Sequence, residues 1–226
     1  MEQIALDIGL AARPTLANFC VGPNAEVLRH LTLRVAPGQP ANRSAEPTYL
    51  WGEGGSGKTH LLKAVHDALQ SQGALTGWLD ATTQPCAFDD KWAAVLMDDV
   101  QAYNAAQQHA AFNWFVNAQT HQCWVLAAGT LPPADLALRD DLRSRLGWGL
   151  VFQLHNLSDI ERRAVLRQDA GVRGLHLSDE VMDFILNRFS RDLGSLVALL
   201  NQLDGYALQT KRGITIPLIK SMMDNS

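Results

Sequence analysis

Apolar positions follow two rhythms along the chain, and the change comes near residue 157. Before it, short continuous apolar runs alternate with stretches at helical spacing. The runs are Thr48-Tyr49-Leu50-Trp51, Thr76-Gly77-Trp78-Leu79, Ala93-Ala94-Val95-Leu96-Met97, Cys123-Trp124-Val125-Leu126-Ala127-Ala128 and residues 150–154. A run of four to six apolar residues between turn formers reads as a strand covered on both faces, the condition of a parallel sheet. Among the intervening stretches, Leu61, Leu62, Val65, Ala68 and Leu69 recur one helical turn apart, and Gly73 ends the pattern. Residues 103–120 predict a further helix that offers Phe112, Phe115 and Val116 to the sheet. Val27, Leu28 and Leu31 predict an earlier helix, with Asn24 as its N-cap after the Gly22-Pro23 turn. Residues 139–145 carry three arginines in a short helical segment. Strands alternating with helices imply an α/β fold, a three-layer αβα unit with a five-stranded parallel sheet.

After residue 157 only the helical rhythm remains. Ser158 with Glu161 forms a capping box, and Ser178 and Ser190 stand as N-caps of two further helices. Thr215 caps a last helix with Pro217 in its first turn. The expected division is a peptide over 1–12, an αβα unit over 13–156 and a small all-α subdomain over 157–226. The first segment stands apart because Arg13-Pro14 interrupts any regular element.

Composition narrows the classes. The chain has 226 residues, 47% of them apolar, enough for a packed core, and its net charge of −4 supplies no basic field for nucleic acid. Cys20, Cys86 and Cys123 are scattered and odd in number, which fits a reducing cytoplasm and buried or half-buried thiols. The N-terminus carries Glu2 and Asp7 and lacks the basic region of a secretory signal. No apolar run approaches the ~20 residues of a membrane span. The expectation is a cytoplasmic protein without a membrane or sequence-specific DNA partner.

The chemistry concentrates after the first strand. Gly52-Glu53-Gly54-Gly55-Ser56-Gly57-Lys58-Thr59 is a complete G-x-x-x-x-G-K-[ST] loop between a strand and a helix. Glycines let backbone N–H groups wrap phosphate, and the helix N-terminus adds partial positive charge. Lys58 is expected on the β-phosphate of ADP, or the β- and γ-phosphates of ATP, and the Thr59 hydroxyl on Mg²⁺. The apolar run over 93–97 ends in Asp98-Asp99, where open α/β sheets bind ligands. Asp98 is expected to hold Mg²⁺ through water and Asp99 to orient an attacking water. Asp99 is one methylene shorter than the Glu common at this position, so fast turnover is not expected.

Taken with an arginine-bearing segment and a helical lid, these motifs resemble the AAA+ ATPases. More closely, Gly57-Lys58-Thr59-His60-Leu61-Leu62, Met97-Asp98-Asp99-Val100-Gln101 and Ser144-Arg145-Leu146-Gly147-Trp148-Gly149 are similar to the replication initiator DnaA. The resemblance runs from about residue 15 to the C-terminus. DnaA continues into a DNA-reading helix-turn-helix domain, whereas this sequence ends after the lid. Its start, Gln3-Ile4-Ala5-Leu6-Asp7-Ile8, resembles the sliding-clamp peptide Q-L-x-L-x-[LF]. That combination resembles the family of the regulatory inactivator Hda, which acts with the DNA-loaded clamp to stimulate hydrolysis of the ATP held by DnaA and is thought to hold ADP. The resemblance implies DnaA and the polymerase III sliding clamp as partners, and leaves a homo-oligomer open.

The same resemblance implies Arg145 as an arginine finger acting in trans, His60 beside the nucleotide, and Gln3, Leu6 and Ile8 in the clamp pocket. Thr130 falls at sensor 1, where the family usually has Asp. Gly194 falls at the sensor 2 arginine, and Arg191, one turn earlier, is either its substitute or a solvated charge. Arg145 has its own bland alternative, a surface pair with Asp140 or Asp141. An ATP-driven initiator or helicase loader and a stand-alone P-loop kinase remain the competing classes.

Overall fold

The computed structural model describes residues 13–37, 45–189, 193–210 and 212–224. The chain divides into two compact units, one spanning Pro14–Asn156 and the other holding the helices that follow Leu157.

The first unit opens with helix α1 (Ala25–Val35) and then the strand β1 (Thr48–Trp51). Helix α2 (Lys58–Ser71), β2 (Leu75–Leu79), β3 (Trp92–Met97), α3 (Ala105–Thr120), β4 (Trp124–Gly129), α4 (Asp140–Leu146) and β5 (Leu150–Gln153) follow. All strand pairs are parallel, and the order is β2-β3-β4-β1-β5, so β1 lies between β4 and β5 and its C-terminal end is inside the sheet. Side chains alternate between two apolar layers as a pleat requires. On β3, Ala94 and Leu96 join Leu61, Leu62 and Val65 of α2 and Val27 and Leu31 of α1. Val95 and Met97 face Trp114 and Phe115 of α3 and Leu142 and Leu146 of α4. Every one of these side chains is buried, which gives the three-layer αβα architecture expected from the runs.

Local signals explain the element ends. Asn104 and Gln107 form a reciprocal capping box at the start of α3, so this helix begins two residues later than expected, after a 3-10 turn at Val100–Ala102. Gly73 takes φ +78, and its N–H and that of Ala74 bond back to Gln70 and Leu69, closing α2. The buried face of α3 is Ala111, Trp114, Phe115 and Ala118. Val116 is 39% exposed and Phe112 is only half-buried, a correction to the expected set. The i, i+3, i+4, i+7 stripe runs through two small alanines that carry little apolar weight in a sequence count. Asn24 is likewise no side-chain cap of α1. It is 3% exposed, its Nδ2 donates to His155 O at 3.0 Å and its Oδ1 accepts from His155 N at 2.9 Å. It therefore ties the start of α1 to the chain leaving β5.

The second unit contains α5 (Asp159–Val172), α6 (Asp179–Arg188), α7 (Leu193–Thr210) and α8 (Ile216–Asp224). The Ser158–Glu161 capping box and the Ser178 cap are formed, and Thr215 Oγ1 accepts from Leu218 N at 3.4 Å. Ser190 lies outside the described residues. Leu166, Met182, Ile185, Leu200, Leu203 and Ile219 are fully buried between these helices. Arg163 pairs with Asp183 and Arg167 with Asp179 across α5 and α6. No helix among the described residues is long and apolar enough to cross a membrane.

Candidate functional site

The loop Gly52 to Gly57 leaves the C-terminal end of β1 and turns into α2. Gly57, the N-cap of α2, sits at φ +95 in the left-handed region, and an added Cβ would lie 2.6 Å from Phe19 Cε2. Gly52 approaches the neighbouring strand exit so closely that a Cβ would lie 2.2 Å from Leu154 O. No side chain caps α2 and no acidic residue occupies its first turn. Its N-terminal N–H groups are therefore free of a built-in anion, the arrangement that receives phosphate.

Lys58, 6% exposed, folds back over the loop. Its Nζ donates to Gly52 O and Glu53 O, both at 2.8 Å, and to Ser56 Oγ at 3.4 Å. Burial lowers the Lys58 pKa, against the opposing pull of the Asp99 and Asp98 charges. Asp98, 4% exposed at the end of β3, has its pKa raised by burial and by the Asp99 charge, partly countered by hydrogen bonds from the Thr59 hydroxyl and the Asp99 N–H and by the Lys58 charge. A desolvated carboxylate bonded to a threonine hydroxyl beside a phosphate-type loop is a donor set suited to Mg²⁺. The residues present thus fit a magnesium-bound nucleotide. Among the described residues no group of three His, Cys, Asp or Glu forms a separate metal cage.

Asp99 adopts φ 49, ψ 47, a left-handed conformation that a short polar side chain tolerates. Its Oδ1 accepts from Gln101 Nε2 at 3.1 Å, and Gln101 Oε1 accepts from the Thr130 N–H at the end of β4, also at 3.1 Å. Gln101 thus links Asp99 to the expected sensor 1 position, a role that had no signal in the sequence beyond its closeness to Asp99. The structure brings Ser56, Lys58, Thr59, Asp98, Asp99 and Thr130 to the C-terminal edge of the sheet. The His60 ring turns to the preceding segment, with Nε2 3.0 Å from Thr15 O and its centroid 5.7 Å from that of Phe19. Glu53 Oε2 accepts from Asn156 Nδ2 at 3.0 Å, a further contact between loop and strand exit.

Arg145 lies elsewhere. It lines a cavity of about 430 Å³ with Glu46 and Pro47, at the N-terminal end of β1. From Pro47 to Gly52 the chain runs the length of that strand, roughly 16 Å at ~3.3 Å per residue. The bland alternative for Arg145, a surface pair, is not formed: Asp140 pairs with Arg143 and Asp141 with Arg139. Arg145 Nη1 instead donates to Gln119 Oε1 at 3.1 Å, and its Cζ sits 5.1 Å from the Trp148 ring centroid. Gln3, Leu6, Ile8 and Arg191 lie outside the described residues. Of the thiols, Cys123 is buried with its pKa pushed up to about 12, Cys20 is half-buried, and Cys86 is exposed, unlike the expectation for it.

Comparison with known proteins places this geometry. Residues 10–76 match the model of the bacterial DnaA ATPase domain, and residues 159–223 match that of the Hda lid domain. An uncharacterised protein of Haemophilus influenzae is 33% identical over 193 residues, covering 78% of this chain and 80% of that protein. The fold is that of domain III of the Thermotoga maritima replication initiation protein DnaA, with TM-score 0.74 at 21% identity over 95% of this chain and 97% of that one. This chain belongs to the DnaA-like AAA+ family, close to Hda. AMPPCP-bound DnaA from Aquifex aeolicus superposes with TM-score 0.70 at 19% identity, covering 88% of this chain and 67% of that one. As a DnaA-related AAA+ replication regulator, the protein pairs a phosphate-type loop at one end of its sheet with an arginine at the other.

Proposed function

We propose that this DnaA-like protein holds ADP with Mg²⁺ at its own loop, binds the DNA polymerase sliding clamp through Gln3, Leu6 and Ile8, and supplies Arg145 to ATP bound by DnaA, thereby switching the initiator off. The observation that carries the reading is the separation of Arg145 from the chain's own Gly52–Thr59 loop by the length of β1. A guanidinium at that end serves a neighbour's nucleotide rather than its own. Bound nucleotide would contribute phosphate charge for Lys58 and the α2 N-terminus and oxygen ligands for Mg²⁺ held by Thr59 and Asp98. Asp99, short and restrained by Gln101, supports slow turnover at this chain's own site. Arg145 would neutralise charge that develops on the transferring phosphoryl group, an effect worth about 10³–10⁵ in rate when supplied in trans.

The test is phosphate release from ATP-loaded DnaA in the presence of DNA-loaded clamp. Arg145→Ala should keep its fold, its nucleotide and clamp binding, yet fail to stimulate release. Arg145→Lys should fail nearly as badly, because an ammonium lacks the planar fork. Replacing Gln3 and Leu6 together by Ala should abolish clamp binding at an unchanged melting temperature. Full stimulation by Arg145→Ala would remove the finger from the reading, and retained clamp binding by the double variant would remove the tail.

A further inference from the structure

Arg145 leaves α4 one residue before its end, and groups from two other segments hold its guanidinium. Gln119, in the last turn of α3, accepts one N–H through its amide oxygen at 3.1 Å. Trp148, just beyond α4, presents its ring 5.1 Å from Cζ. The chemistry of these two contacts is selective. The nearby carboxylates of Asp140 and Asp141 are taken by Arg143 and Arg139, and no carboxylate pairs with Arg145 among the described residues. A neutral amide and a π face fix the plane of the fork without cancelling its charge. Trp148 is also 59% exposed, an unusual position for an indole, and its ring covers a cation there instead of filling the core.

We infer that Gln119 and Trp148 are positioning residues that keep the Arg145 guanidinium oriented and uncompensated for entry into a partner's phosphate site. The inference rests on the reading of Arg145 as the finger. An arginine side chain free to rotate loses that freedom when it engages a transition state, and fixing it beforehand spares the loss. The polyphosphate of a neighbouring nucleotide, which is anionic and planar-fork compatible, is the ligand such an uncompensated guanidinium suits.

The experiment titrates the full chain and its variants into the DnaA hydrolysis assay with loaded clamp, and separates the maximal stimulated rate from the concentration giving half of it. Trp148→Ala should lower the maximal rate about two- to fivefold, the scale of an exposed cation–π contact. Gln119→Ala should act similarly, and the double variant should lose about tenfold, as expected when two restraints on one group are removed. The half-saturating concentration should not move, and Trp148→Phe should recover most of the lost rate. Both side chains are exposed enough that melting temperatures stay at the wild-type value, and Gln119→Ala serves alone if Trp148→Ala does not fold. Wild-type maximal rates in both variants would overturn the inference. So would an unchanged maximum with a raised half-saturating concentration, since Trp148 would then contact the partner directly. Arg145→Ala, run alongside, separates the two failures: if it is inert while the Gln119 and Trp148 variants reach the full rate, only the positioning role falls.

Discussion

Lys58→Ala tests the nucleotide site most directly, because the side chain serves two states. Without ligand, its amine is buried and donates to Gly52 O and Glu53 O at 2.8 Å each. Hydrogen bonds to a charged group are worth ~1.5–3 kcal/mol apiece, but desolvation of the ammonium, visible in its lowered pKa, offsets much of that. The nucleotide-free variant should therefore lose only about 1 kcal/mol, or roughly 2–4 °C in Tm for a chain of this length. With ligand the effect is larger. ADP at about a hundred times its Kd stabilises a one-site protein by roughly 2.7 kcal/mol. That corresponds to a rise of roughly 5–11 °C in the wild type. Lys58→Ala removes the cation proposed to hold the phosphates, so at the same ADP and Mg²⁺ concentrations its Tm should not rise. The measurement is a thermal melt followed by circular dichroism, with and without ADP and Mg²⁺. An equal ADP shift in both proteins would refute the phosphate-loop assignment, whatever the two nucleotide-free values.

The buried carboxylate and the strand-exit latch give two further tests. Asp98 has a raised folded pKa, first through burial, so its contribution to stability is present below its unfolded pKa of about 4 and is lost as pH rises through the folded value. Asp98→Asn should thus melt above wild type at pH 7 without metal, the gap should close towards pH 4, and the extra rise given by Mg²⁺ with ADP should vanish; a constant gap across pH would refute the desolvation argument. Asn24→Ala should cost about 1–3 kcal/mol in urea unfolding of the first unit, because it leaves both backbone groups of His155 without their partner. Asn24→Asp should not restore it, since a carboxylate cannot donate to His155 O; full recovery with Asp, a good N-cap, would make Asn24 a cap after all.

The sequence by itself determined those features whose cause is local. Continuous apolar runs marked all five strands. Inside the sheet, β1, β3 and β4 are largely buried and carry no polar alternation. The edge strands β2 and β5 keep apolar residues such as Leu75, Leu150 and Val151 partly exposed, against the expectation of cover on both faces. The placement of the glycine loop between β1 and α2 and of Asp98-Asp99 at the end of β3 was legible because each motif lies within a few positions of the element that carries it. The caps at Ser158 and Ser178 were legible for the same reason.

Tertiary structure decided whatever joins distant positions. The order β2-β3-β4-β1-β5 has no local signature, because a parallel crossover looks the same whichever neighbour it reaches. Asn24 reads as a cap until His155, 131 residues away, arrives beside it and takes both ends of its amide. Closeness in sequence offers Asp140 or Asp141 as the bland alternative for Arg145. Helical spacing puts Arg143 one turn from Asp140 and Arg145 one turn from Asp141, but Asp141 is held by Arg139, and Arg145 is turned toward Gln119, 26 residues earlier, and Trp148. Gln101 gains its role only when β3 and β4 lie side by side and bring Thr130 to its carbonyl. A side chain's hydrogen-bonding capacity is written in its residue type, but the fold chooses its partner, because burial leaves each polar group to be satisfied by whatever the packing delivers.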